Sequence, residues 1–134
     1  MLRKNKSIYY NIILNQDNSK KTTMIEAFVS NGTIHENIEN AGISHLLEHV
    51  IMDSWEKCDN GCNDYWKKRG IVSNASTGMT FVNYFIRGLE KYTYEMLDYI
   101  ISICISPIIT KKRIEKEKNA VLNEFGIKLG GNVF

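Results

Sequence analysis

The apolar positions of this chain change period several times, and each change marks an element. Residues 7–15 (SIYYNIILN) concentrate β-branched and aromatic side chains, while residues 22–30 (TTMIEAFVS) alternate apolar with polar; both read as strands. The polar QDNSKK between them supplies turn residues, so the two strands are expected to form a hairpin. NGTIHENIENAG, residues 31–42, reads as a polar loop. From Ile43 to about Trp55 the period becomes helical, with Ile43, Leu46, Leu47, Val50 and Ile51 in one stripe. A short helix over residues 62–68 is closed by Gly70. IVSNASTG and TFVNYFIRGL read as two further strands around Gly78. Residues 92–106 form a helix that Pro107 ends, and Thr110 is placed to cap a last, highly charged helix. The order ββα(α)ββαα predicts an α+β fold, a mixed or antiparallel sheet with helices packed on one face.

Composition narrows the function classes. At 134 residues the chain is expected to form a single domain, and 43% hydrophobic with 24% charged residues is a globular composition. A formal charge of +2 gives no electrostatic case for nucleic acid or an anionic membrane. The first residues carry too short an apolar run for a signal peptide, and no stretch approaches the roughly 20 apolar residues of a membrane span. Three cysteines make no even-numbered disulfide framework, which agrees with a reducing compartment, and the cytoplasm is the expected location. Cys58 and Cys62 read as two loop thiols; as metal ligands they would lack a second Cys/His pair.

The candidate chemistry lies in HLLEHVIMDSW, residues 45–55. Side chains at i and i+4 stack on one helix face, so His45 and His49 can close on one ion, with Glu48 at the edge of that face. Hydrolytic zinc sites take three protein ligands, commonly two His and a Glu, and leave a position for water. A carboxylate that does not bind the metal then accepts the proton of that water. These are the parts of the HExxH helix in reversed order. The alternative is an exposed helix face with solvated imidazoles. EKNAVLNEF offers a third ligand, because Glu117 and Glu124 lie seven residues apart, two turns, on one side of the last helix. Glu124 completes a His2Glu set and Glu117 can orient a ligand from behind. Taken alone, each glutamate is better explained by a solvated helix face; the case for Glu124 depends on the first helix. Ile114, Val121, Leu122 and Phe125 supply the stripe that seats this last helix on the core.

GISHLLEHVIM, SNASTGMTFVNYFIRGL and EKEKNAVLNEF together resemble the inverzincin metallopeptidases of the insulinase and pitrilysin type, which include the mitochondrial processing peptidases. The three motifs fall in order along nearly the whole chain, and His49 and Glu124 are 124 − 49 = 75 positions apart, close to the family spacing. The resemblance implies one Zn2+ held by His45, His49 and Glu124, with Glu48 as general base and Glu117 supporting the site. It also implies a structural role for Gly32 and Glu36, and a substrate-binding role for Asn74 and Ala75 at a strand start. There an extended peptide adds to the sheet edge.

Two departures qualify the resemblance. MDSWEKCDNGC replaces the family's glycine-containing stretch after the metal helix, so the loop over the site is expected to differ. The chain also ends soon after Glu124, so the domain is expected to be truncated at its C-terminal end relative to a full family domain. No segment matches the Arg and Tyr that a second family domain contributes. The expected function is therefore zinc-dependent endopeptidase, or its metal-bearing subunit, acting on peptides with a homo- or hetero-oligomeric partner supplying the second domain. The alternatives are a fragment of a longer peptidase, a non-catalytic peptide-binding subunit and a zinc-stabilised domain without activity.

Overall fold

The computed structural model describes residues 17–58 and 61–130. The expected strand over residues 7–15, and with it the hairpin, lies outside the described residues. The elements described are β1 (Thr22–Val29), α1 (Ile43–Met52), α2 (Cys62–Lys67), β2 (Val72–Thr77), β3 (Val82–Leu89), α3 (Thr93–Ile105) and α4 (Lys111–Gly130). Among the described residues the sheet is three-stranded and antiparallel in the order β1-β3-β2, which leaves β2 at one edge. The α+β class read from the period changes is the fold observed, and no helix of the described residues is long and apolar enough to cross a membrane.

Strand β3 shows why the helices collect on one side. Val82, Tyr84 and Ile86 are buried while Arg87 and Leu89 are exposed, so one face enters the core and the other does not. Gly88 continues the inner face because a Cβ there would come within 2.6 Å of the Ile71 side chain. The core beneath combines aliphatic side chains with an aromatic cluster. Trp55 and Trp66 stack with centroids 5.2 Å apart, and Tyr99 meets both edge-on at 5.4 and 5.2 Å. Burial holds the Tyr99 phenol protonated, and its hydroxyl donates to the Met52 carbonyl at 2.8 Å, which ties the C-terminal end of α1 to α3.

The helical stripes differ from the sequence reading in instructive ways. In α1, Val50 is buried as expected, but Ile43 and Leu47 are exposed, and Ser44 and Glu48 take the inner positions. The helix is turned so that Glu48 meets the end of β2, where the Thr77 hydroxyl donates to Glu48 Oε2 at 2.6 Å. A hydrogen bond unavailable to leucine decides the rotation. In α4, Val121 is buried, yet Leu122 is exposed and Glu117 faces inward. Thr110 caps this helix as its position predicts, its Oγ1 accepting from the Arg113 amide at 3.2 Å.

Cys58 and Cys62 correct the reading as loop thiols: they are joined as a disulfide, with Cα atoms 5.0 Å apart. The chain doubles back at Gly61, whose φ of 109° favours glycine, and this brings the two Cα atoms within bridging range. Both cysteines are buried and belong to the core cluster with Trp55 and Trp66.

Candidate metal centre

Three elements converge at the site. The loop before α1 sets its first turn: Glu36 accepts the Gly42 amide at 2.7 Å through Oε2 and the Ser44 amide at 2.8 Å through Oε1. Those donors belong to the open N-terminal turn of α1, so the carboxylate caps the helix and meets the positive end of its dipole. The two amides hold the Glu36 carboxyl below its ordinary value of 4.5. Gly32 positions this loop. Any Cβ there would come within 2.4 Å of the Met79 carbonyl, and the neighbouring Thr33 and Ile34 amides donate to Gly78 and Met79 at 3.1 and 2.9 Å.

A depressed native carboxyl stabilises the fold fully above its unfolded value, and the contribution is lost as pH falls through the lowered native one. Glu36→Gln is therefore expected to lower stability at pH 7 by about 1 kcal/mol, the scale of a helix cap. The gap should close in acid, below the ordinary carboxylate range. Parallel thermal melts at pH 7 and pH 3 check this, and an equal gap at both pH values would refute it.

His45 and His49 lie on one face of α1, and their Nε2 atoms are 3.1 Å apart. Glu124, from α4, brings Oε2 to 3.5 Å from His45 Nε2 and Oε1 to 3.8 Å from His49 Nε2. One donor atom from each of the three lies within 4.8 Å of the others. Ligands about 2.0–2.1 Å from a tetrahedral zinc stand about 3.3 Å from one another, so this donor set fits such an ion in both chemistry and spacing. Behind it, His49 Nδ1 is 3.4 Å from Glu117 Oε2. A carboxylate on the far ring nitrogen is the usual way to fix which nitrogen faces a metal.

Glu48 sits beside this triplet, is 8% exposed and takes no place in it. Its Oε2 accepts from the Thr77 hydroxyl, which fixes the orientation of the carboxylate at the cleft. Glu48, the triplet, Asn74 and Ala75 line one cleft of ≈ 560 Å³ together with Lys116 and Glu117. Asn74 and Ala75 lie mid-strand in the edge strand β2 rather than at its start, and the Ala75 amide donates to Asn74 Oδ1 at 2.9 Å. Sequence reasoning missed Thr77, Asp53 and Lys116. Thr77 carries no local signal, because its partner is 29 residues away and is set by how α1 crosses the sheet edge.

The family model for insulinase (peptidase family M16) matches residues 11–126. The chain belongs to this family. Its M16 relatives include an uncharacterized zinc protease, YmxG, of Bacillus subtilis, 25% identical over 84% of this chain and 28% of that protein. Human nardilysin is 34% identical over 63% of this chain and 8% of its own length. The crystal structure of pitrilysin superposes with a TM-score of 0.74 at 23% identity, over 84% of this chain and 12% of that one, and so shares the fold. The chain thus spans between about a tenth and a quarter of the length of these relatives. The family is one of zinc peptidases, and the His/Glu cluster of this M16 chain is one that could hold a metal ion.

Proposed function

We propose that this chain is the metal-bearing part of a zinc endopeptidase, a single unit that holds one Zn2+ through His45, His49 and Glu124. The observation that carries the reading is the convergence of those three donors beside a buried glutamate that is not one of them. A zinc ion bound there supplies a Lewis acid for the scissile carbonyl and brings the acidity of water towards neutrality.

The chain's own residues do the rest. Glu48, oriented by Thr77, accepts a proton from the attacking water and passes it to the leaving amine. Glu117 accepts a hydrogen bond from the Nδ1–H of His49, which keeps Nε2 turned to the cleft. An extended peptide adds to β2, an edge strand among the described residues, at Asn74 and Ala75, where main-chain hydrogen bonds hold it across the site. The donors that would stabilise the tetrahedral intermediate come from a second domain, whether of the same polypeptide, another copy or a partner chain. Without them the rate falls by about 10²–10³, the effect of losing one oxyanion donor.

Metal analysis of the purified chain beside His49→Ala, with oligomeric mass measured on the same samples, tests this. The wild type is expected to retain one zinc per chain after dialysis and the variant a small fraction of that. A wild type that emerges metal-free from zinc-containing buffer would overturn the proposal.

A further inference from the structure

Behind the metal cluster runs a second line of polar contacts that ties α1 to α4. Asp53 ends α1, four residues after His49. Its Oδ1 accepts the Cys62 amide at 2.9 Å and its Oδ2 lies 2.7 Å from Lys116 Nζ. The same ammonium is 3.0 Å from Glu117 Oε1, and the other oxygen of Glu117 faces His49 Nδ1 at 3.4 Å. The two carboxylates are well enclosed, with side chains 18% and 10% exposed, whereas the lysine stem lies along the surface at 60%.

We propose that Lys116, anchored by Asp53, is a positioning residue for the metal centre: it fixes Glu117 so that Glu117 in turn fixes the ring of His49. The inference rests on the zinc reading above. An ammonium has three donors and no acceptor, so it can bridge two carboxylates at once. Asp53 is a rigid anchor because the Cys62 amide holds its other oxygen at the disulfide-closed loop. Glu117, by contrast, has a long contact to the imidazole and a short one to the lysine, so the lysine sets where it sits. Remove the ammonium and Oε1 of Glu117 loses the partner that holds it, leaving the carboxylate free to turn away from Nδ1. The strong Asp53 contact also raises the Lys116 pKa, as expected of a cation held between two acids.

Chelator competition for zinc on the full chain, comparing wild type with Lys116→Met and Lys116→Arg, tests the proposal. Lys116→Met keeps the apolar stem and is expected to weaken zinc binding by about 10–100-fold, the range for groups that orient a ligand. Lys116→Arg, which keeps charge and donors, should stay within a few-fold of wild type. Thermal melts of the metal-free proteins run alongside, because a merely structural lysine would lower those and leave zinc affinity alone. Should Lys116→Met fail to fold, Lys116→Gln takes its place. Unchanged zinc affinity in the uncharged variant overturns this inference while leaving the zinc reading intact. A wild type that binds no zinc overturns both.

Discussion

Glu48→Gln is expected to slow peptide hydrolysis by about 10²–10⁴-fold while leaving zinc content unchanged. The substitution preserves shape and the contact with Thr77, and it removes the basic oxygen. In the structure the Thr77 hydroxyl donates to Oε2 at 2.6 Å and so fixes how the carboxylate is presented to the cleft. The amide replaces it with a group that has no useful basicity. The metal should be indifferent, because the three converging donors come from His45, His49 and Glu124. Activity is measured on the chain combined with whatever second domain completes it, and zinc on the same preparation. Retention of full activity would refute the role of Glu48; loss of zinc together with activity would make Glu48 part of the metal cage instead. A domain stabilised by zinc but without catalysis predicts no functional change at all.

Much of this site was legible because its chemistry is local. His45, Glu48 and His49 fall within one and a half turns, so helical geometry alone brings two imidazoles to one face. Glu117 and Glu124 likewise share a face of α4, and their meeting with α1 needed the family resemblance to be anticipated. The antiparallel strands announced themselves by alternation, and Thr110 by its position before a charged helix. What could not be read depends on how elements cross. Ile43 and Leu47 share the apolar stripe of α1 yet are exposed, because apolar periodicity cannot anticipate that Glu48 and Ser44 are drawn inward. The inward rotation comes from Thr77 at the far end of another strand and from the amides that Glu36 caps. Asp53 and Lys116 lie 63 positions apart, and their pairing exists because α1 and α4 pack side by side. The disulfide was missed for a smaller reason: three cysteines suggest free thiols, whereas the turn at Gly61 folds two of them together.

Trp66→Ala is expected to cost about 3–5 kcal/mol, the range for deleting a fully buried aromatic. That is a large share of the roughly 5–15 kcal/mol that keeps a domain folded. Trp66 is 0% exposed and is stacked on Trp55, with Tyr65 and Tyr99 against it edge-on. Its neighbours are large and locked by one another, so they cannot collapse into the space it leaves. The consequence reaches the metal centre by a short route. Tyr99 loses a wall of its pocket, and its hydroxyl is what holds the Met52 carbonyl at the last turn of α1, three residues beyond His49. Denaturant unfolding of the metal-free chain should therefore show a lower midpoint in the variant, and zinc should bind more weakly to whatever fraction remains folded. Trp66→Phe, which retains an aromatic wall, should lose less on both counts. An unchanged midpoint in Trp66→Ala would mean that the aromatic cluster is not what supports the floor beneath α1.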